Sequence, residues 1–333
     1  MSAQSLPRSL VFGSDDQPGI HRLGRTRFRY EHDSGRKVSA ADKSRIAALV
    51  IPPAWTDVWI SADENSHLQA TGRDARGRKQ YRYHDEFTAL RGAAKFDDLL
   101  DFAAGLGRLR RAVAADLARR APDHDHVVAV LVRLLDLTSL RVGNEVYAQT
   151  NKSFGLTTLR NRHVVVRGSE VRMRFRGKSA HDFDVTVDDQ RLARLVRRCQ
   201  TLPGQRLFEY VGSDGKIRTI GSTDVNDYVR RHGSESGSAK TFRTWGASVM
   251  AGELLAEAAV DDEDIAPRTV NAALRIVAGH LGNTLAVCRS SYVHPTIVEH
   301  FLDGTLGEQW TPQVGRSPVG LTVGERRLVR LLT

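Results

Sequence analysis

The stretch Leu281-Gly282-Asn283-Thr284-Leu285-Ala286-Val287-Cys288-Arg289-Ser290-Ser291-Tyr292-Val293-His294-Pro295, close to the C-terminal end of a 333-residue chain, decides how the rest is read. Three basic residues stand upstream in distinctive settings. Arg141 lies in Leu140-Arg141-Val142-Gly143-Asn144-Glu145, Lys178 in Arg176-Gly177-Lys178-Ser179, and Arg243 in Lys240-Thr241-Phe242-Arg243-Thr244-Trp245. A phenol, two guanidinium groups, an ammonium and an amide suit attack of a phenolate on a phosphodiester. A phenol has an ordinary pKa of about 10 and is a weak nucleophile at neutral pH without help. Guanidinium groups favour the phenolate and pair with the non-bridging oxygens of a pentacoordinate phosphorane. Asn283 supplies a further hydrogen bond to those oxygens. Lys178, read as a hairpin tip, can protonate a departing 5′ oxygen. Taken singly, each residue reads as ordinary core, cap or surface; the ordered set within these local sequences is far more specific.

Composition narrows the partners. A chain that is 41% hydrophobic and 26% charged reads as soluble and globular, and 333 residues suffice for one large or two ordinary domains. No apolar run approaches the about 18 residues that a membrane span needs. The N-terminus lacks the basic flank and apolar region of a signal peptide. Against 39 acidic residues stand 49 Lys+Arg, and the resulting +10 points to a nucleic-acid partner. Cys199 and Cys288 lie far apart and outside any C-x-x-C, which disfavours a disulfide framework and a zinc site and implies a reducing compartment. The histidines form no H-E-x-x-H, and His124-Asp125-His126 reads as a helix start. Neither a metal nor a cofactor is expected.

The pattern divides the chain. Residues 1–20 are mixed polar and read as frayed. From His21 to His84 the signals are short strands and turns: Phe28-Arg29-Tyr30, the turn Asp33-Ser34-Gly35, one short helix in Ala40–Val50, an extended Ile51–Trp55, the strands Val58–Ile60 and His67–Thr71, and the turn Asp74–Gly77. Helical spacing takes over with Phe96–Leu117 and Val127–Leu140, then returns at Leu192–Cys199, Val225–Val229, Phe242–Leu255 and Val270–Leu281, where Gly282 is a stop signal. Between them Val164–Val187 switches to a period of two, a three-stranded meander turning at Arg167–Glu170 and Arg176–Ser179. In it Arg172, Arg174 and Arg176 alternate with Val171, Met173 and Phe175. The fold class is α+β: a small β-rich domain over residues 1–90, then a mainly α-helical domain over 91–333 carrying one small antiparallel sheet.

Thr71–Arg82 holds Arg73, Arg76, Arg78, Lys79 and Arg82 against the single acid Asp74. If Lys79–Tyr83 is extended, Lys79, Tyr81 and Tyr83 share one face, and cations interleaved with tyrosines suit phosphate and groove contact.

These segments, with Ile51-Pro52-Pro53-Ala54-Trp55-Thr56-Asp57-Val58-Trp59-Ile60 and Gln69-Ala70-Thr71-Gly72-Arg73-Asp74-Ala75-Arg76-Gly77-Arg78-Lys79-Gln80-Tyr81-Arg82-Tyr83-His84, resemble the type IB DNA topoisomerases of the small bacterial and poxvirus-like group, over about residues 20–305. The resemblance implies the fold shared by topoisomerase IB and the tyrosine recombinases, and a five-residue catalytic site: Arg141, Lys178, Arg243, Asn283 at a histidine-or-asparagine position, and Tyr292 as nucleophile. Leu285 stands where relatives are expected to carry proline. The resemblance also sets Arg73, Arg78, Lys79, Gln80, Tyr81 and Tyr83 against the DNA major groove, with Lys240 as a further DNA contact. The implied activity is relaxation of supercoiled duplex DNA by single-strand cleavage through a 3′-phosphotyrosine, strand rotation and religation, without ATP, cofactor or obligatory metal. The expected form is a cytoplasmic, nucleoid-associated monomer with no membrane and no small-molecule substrate. Two alternatives stay open. A tyrosine site-specific recombinase shares the Arg, Lys, Arg, Tyr logic, but usually carries His-x-x-Arg where this chain has Lys240-x-x-Arg243. An architectural DNA-binding protein would explain the charge but not the catalytic set.

Overall fold

Strands and tight turns build the first of two compact units, residues 1–95 and 96–333, in a computed structural model that describes residues 6–24, 27–119, 123–202, 204–258, 265–311 and 320–333. The N-terminal unit runs β1 (Gly19–Leu23), β2 (Arg29–His32), α1 (Ala40–Ala48), β3 (Thr56–Ser61), β4 (Leu68–Arg73) and β5 (Lys79–Tyr83). Its antiparallel sheet has the order β2-β1-β3-β4-β5, so β5 is an edge. Ser39 starts α1 with a capping box closed by Asp42. Ile20, Val38, Ile46, Val58, Ile60 and Ala70 form the core of this unit.

Register sets the faces. Ala70 lies opposite Ile60 and Arg82, while Thr71 lies opposite Trp59 and Tyr81. Lys79, Tyr81 and Tyr83 thus share the face away from the core, as the alternation requires. The N-terminal segment is not frayed where it is described. Val11 bridges Ser66, Trp59 Nε1 donates to the Gln17 carbonyl at 2.9 Å, and Thr71 Oγ1 donates to Asp15 at 2.9 Å. These bonds and the buried Leu10 hold it, which corrects the expectation for residues 6–20; residues 1–5 lie outside the described ones. Ile51–Trp55 is not extended throughout either, because Trp55 N–H closes a turn on the Pro52 carbonyl at 3.1 Å.

α2 (Asp85–Leu117) begins before residue 96 and continues into the second unit. There follow α3 (His124–Thr138), α4 (Glu145–Asn151), β6 (Val164–Arg167), β7 (Glu170–Arg176), β8 (Asp182–Asp188), α5 (Gln190–Gln200), β9 (Glu209–Val211), β10 (Ile217–Thr219), α6 (Ser222–His232), α7 (Ala239–Ala256), α8 (Ala266–Leu281), α9 (Leu285–Ser291), α10 (Pro295–Leu302), α11 (Leu306–Gln309) and α12 (Val323–Leu332). Val127 to Val132 of α3 are all at most 1% exposed, so α3 is the central helix. Asp123 caps its start, and His124 and His126 fall in its first turn. The meander β6-β7-β8 forms as expected, with Val171, Met173 and Phe175 inward and the alternate arginines outward. A second sheet, the hairpin β9-β10, corrects the expectation of one; its three-residue strands are too short for a period-two signal to register.

A buried ionic network joins four helices of this unit. Arg110 of α2 pairs with Asp136 of α3 at 2.7 Å and with Glu325 of α12 at 2.8 Å, and Trp245 Nε1 of α7 donates to Glu325 at 3.0 Å. Burial acts to raise the Glu325 pKa, but Arg110 outweighs it and the net shift is downward. A depressed folded-state pKa means that the stabilisation is full above the ordinary carboxylate value and is lost as pH falls through the folded one. Glu325→Ala leaves Arg110 its pair with Asp136 but removes one of its two acidic partners and strands the buried Trp245 Nε1 donor, so it should cost about 2 kcal/mol. Urea unfolding of the two proteins checks this; an unmoved midpoint would remove the network from the stability of the fold.

Candidate active site

The last turns of two helices hold the two arginines. α3 ends in a left-handed Ser139 (φ 52), and Gly246 of α7 makes room for it: a Cβ there would meet Ser139 Oγ at 2.4 Å. α8 ends at Gly282 (φ 61), as its stop signal predicts. Carbonyls left without helical partners at such ends accept outside donors and carry partial negative charge. Arg243 of α7, only 3% exposed, donates Nη1 to the Ser139 carbonyl at 2.5 Å and Nη2 to the Leu281 carbonyl at 2.8 Å. Arg141 donates to the same Leu281 carbonyl at 3.3 Å, to Gly282 O at 3.4 Å and to Asn283 Oδ1. Its loop is seated by close backbone packing, since a Cβ on Gly155 would meet Gly143 N at 2.6 Å and Arg141 O at 2.7 Å.

Tyr292 follows α9 and is half-buried. Ser248 of α7 clamps its backbone, donating Oγ to the Tyr292 carbonyl at 3.3 Å and accepting from His294 N–H at 3.0 Å. The Arg243 guanidinium carbon lies 5.1 Å from the centroid of the Tyr292 ring. Burial alone would raise the phenol pKa. Arg243, with Arg141 and Lys240, more than offsets this, and the net shift is downward. Burial, then the charge of Arg141, brings Arg243 itself down to about 10, which leaves it charged at neutral pH. Burial pushes the Cys288 thiol, one turn before Tyr292, up to about 11, so it is no rival nucleophile at neutral pH.

Lys178 sits on the turn between β7 and β8, exposed, followed by two left-handed residues, Ser179 (φ 60) and Ala180 (φ 61). Non-glycine residues hold such φ values only where their surroundings enforce them. Here Gly177 N–H donates to the His181 carbonyl at 2.7 Å, and His181 and Phe183 press on the α8 end. A Cβ on Gly282 would meet Phe183 Cζ at 2.5 Å and His181 Cδ2 at 2.7 Å. The hairpin is therefore docked against the turn that carries Asn283.

Arg141, Lys178, Lys240, Arg243 and Tyr292 line one cleft of about 290 Å³. Asn283 does not line it and joins the group through Arg141. Sequence reasoning missed Asn144, Tyr147 and Phe154 of the cleft wall; Asn144 caps α4, and its Asn-Glu start is the one signal that was available. Two donors, Arg243 Nε and Asn283 Nδ2, are buried without a partner among the described residues. The same residues hold no cluster of three or more His, Cys, Asp or Glu placed to bind a metal ion, and no helix long and apolar enough to cross a membrane.

The remaining sequence candidates lie in the N-terminal unit, on β4, β5 and their turn. Tyr81 and Tyr83 are exposed and stacked, with centroids 6.0 Å apart. The polar residues around them are engaged by acids. Lys79 pairs with Asp15 at 2.5 Å, Arg78 with Asp74 at 2.6 Å and Arg73 with Asp57 at 3.5 Å, and Gln80 donates to Asp74 at 3.0 Å. On the β7 face, Arg172 and Arg174 share Asp184, which weakens that face as a cationic surface.

Comparison with known proteins gives two family matches: the catalytic core of eukaryotic DNA topoisomerase I over residues 84–308, and the N-terminal domain of bacterial DNA topoisomerase IB over residues 27–74. The DNA topoisomerase 1B of Acanthamoeba polyphaga mimivirus is 32% identical over 285 residues, which is 83% of this chain and 85% of that protein. The DNA topoisomerase 1B of vaccinia virus (strain Copenhagen) is 22% identical over 76% of this chain and 80% of that protein. Among solved structures, XerH site-specific recombinase bound to difH substrate aligns at 14% identity with a TM-score of 0.37, over 77% of this chain and 62% of that one, a likeness too weak to carry an argument.

The geometry makes the Tyr292 phenol more acidic than an ordinary tyrosine. The difference in tyrosinate absorbance between the native protein and Tyr292→Phe should titrate below the ordinary value of about 10. Arg243→Ala should move that titration upward, because the dominant attraction for the phenolate is gone. A difference titration at or above 10 in the native protein would rule out activation by the arginines.

Proposed function

The chain belongs to the type IB DNA topoisomerase family, and on that premise we propose that Tyr292 is its nucleophile, with Arg141, Arg243 and Asn283 as stabilisers of the transition state and Lys178 as general acid. The observation that carries this reading is buried Arg243 and part-buried Arg141 beside one half-buried phenol, with two buried donors that lack acceptors among the described residues. A scissile phosphate supplies acceptors for such donors, and preorganised donors in a partly dry site are where charge development is best stabilised.

The Tyr292 phenolate, its proton lost to solvent, attacks phosphorus. The bond to the 5′ oxygen breaks, and the Lys178 proton goes to that oxygen, leaving a 3′-phosphotyrosine and a 5′-hydroxyl. Torque turns the free end. The 5′-hydroxyl then returns its proton to Lys178 and attacks phosphorus, and the phenolate leaves. One phosphoester replaces another in each direction, so the cycle needs no ATP. Duplex DNA is the partner, and supercoil relaxation is the activity. All five side chains come from one chain and one unit, which supports action as a monomer. In this reading the N-terminal unit is the DNA-clamping part, with β5 and its turn against the duplex, and the enzyme works at the nucleoid. A recombinase reading lacks the His-x-x-Arg, and a purely architectural role leaves the docked Lys178 turn without a purpose.

Relaxation of supercoiled plasmid should proceed in excess chelator without nucleotide, and Tyr292→Phe should abolish both relaxation and covalent adduct while DNA binding survives. An adduct on the Phe variant would assign the attack to another residue; metal-reversible loss of single-turnover cleavage would overturn the arginine mechanism.

Lys178→Ala should slow cleavage by about 10²–10⁴-fold on an ordinary duplex. A duplex with sulfur as the bridging 5′ atom should restore most of the rate, because a thiolate departs without a proton. Arg141→Ala should gain much less from sulfur, since its work is on the non-bridging oxygens. Equal defects of Lys178→Ala on both duplexes would pass the acid role to Lys240 or Arg243.

A further inference from the structure

Phe183 lies where the meander meets the end of α8. It pairs across the strands with Phe175, and the two buried rings stack with centroids 5.2 Å apart. Beyond that stack the Phe183 ring touches two glycines. A Cβ on Gly177 would meet Phe183 Cε2 at 2.5 Å, and a Cβ on Gly282 would meet Phe183 Cζ at 2.5 Å. Gly177 has φ −97, which any residue can adopt, so the ring and not the backbone requires its bare Cα. Lys178 follows one of these glycines and Asn283 follows the other. One ring therefore spans from the turn of the proposed acid to the end of α8. His181 braces it: the imidazole meets the Phe183 ring edge-on, with centroids 4.7 Å apart, and its Cδ2 would lie 2.7 Å from a Cβ on Gly282.

The two ends of this spacer differ in stiffness. The α8 end is anchored, because the Leu281 carbonyl accepts from both arginines. On the outgoing strand, Phe154 N–H of the cleft wall holds the Arg176 carbonyl at 2.8 Å. The turn itself has the bond from Gly177 N–H to the His181 carbonyl and two left-handed residues, Ser179 and Ala180, which need outside support. Among the described residues the Lys178 ammonium has no hydrogen-bond or ion-pair partner, so the backbone beneath it decides where it stands.

We propose that Phe183, braced by His181, is a positioning residue that sets Lys178 at its working distance from the scissile phosphate. The inference rests on the reading of Lys178 as general acid. Proton transfer requires the donor within hydrogen-bond reach, and a shift of about 1 Å is enough to spoil it. A rigid ring held between two bare Cα atoms fixes that distance before DNA arrives.

Single-turnover cleavage by the full-length enzyme on the oxygen and sulfur-bridged duplexes tests this. Phe183→Leu keeps an apolar side chain but withdraws the ring edge from both glycines. It should cleave the oxygen duplex about 10²-fold more slowly and regain most of the rate with sulfur, where no proton is needed. Phe183→Leu added to Lys178→Ala should slow the oxygen duplex no further than Lys178→Ala alone. His181 is half-buried, so its variants spare the core. His181→Ala should repeat the pattern more mildly, and His181→Phe, a ring without nitrogens, should recover most of the native rate. Equal slowing of Phe183→Leu and His181→Ala on both duplexes would overturn the proposal, since the rings would then serve the arginines or the fold. A His181→Phe no better than His181→Ala would overturn the brace, because a ring nitrogen would be what matters. If sulfur fails to restore Lys178→Ala itself, the acid reading falls. The seating of the hairpin is then decided by exchange of the Gly177 amide hydrogen in the DNA-free enzyme, faster in both ring variants if the rings hold the turn and unchanged if they do not.

Discussion

The Leu281 carbonyl, at the end of α8, receives hydrogen bonds from both Arg141 and Arg243, and the site is arranged around that shared acceptor. Two guanidinium groups repel, and burying them costs still more unless each finds acceptors. Helix C-termini provide neutral acceptors with partial negative charge, which lower the repulsion without neutralising the arginines as a carboxylate would. The positive charge is therefore kept close to Tyr292, where it depresses the phenol. A carboxylate in the same place would hold the arginines as firmly and would cancel the field the phenolate needs.

The same helix end explains why distant parts of the sequence converge. Gly282 takes a left-handed conformation to finish α8, and its bare Cα admits Phe183 and His181 of the hairpin that bears Lys178. One glycine thus sets the stop of a helix, the seat of a hairpin and the approach of Asn283 to Arg141. Any side chain at Gly282 would have to displace two rings.

Much of this was legible from sequence, because the long helices and the meander advertise themselves by period and because the candidate catalytic residues stand in short, distinctive contexts. The stop at Gly282, the alternation on β7 and the shared face of Lys79, Tyr81 and Tyr83 follow from local rules. What was not legible is what depends on partners far along the chain. Residues 6–20 are held by Trp59, Ser66 and Thr71 through single hydrogen bonds and one bridge, which leave no periodic trace. Nor could composition show that Lys79 is paired with Asp15 or Arg172 with Asp184; a count of cations overstates the charge free to meet DNA. The backbone carbonyls of Ser139 and Leu281 carry no sequence signal at all, since every residue has one.

The clamp of Ser248 on the backbone around Tyr292 has a mechanical meaning. While one strand is open, the phosphotyrosine would be the sole covalent link between enzyme and the cut end, and the turning duplex would pull on it. A pull on the ring reaches the Tyr292 backbone first, and that backbone is fastened through the Tyr292 carbonyl and the His294 N–H to Ser248, wholly buried in α7. Val293 and Ile297, almost without exposure, root the next turn in the core. On the proposed mechanism load would pass into the helix that carries Arg243, so that Tyr292 and this arginine would move together and keep their alignment for resealing while the DNA turns.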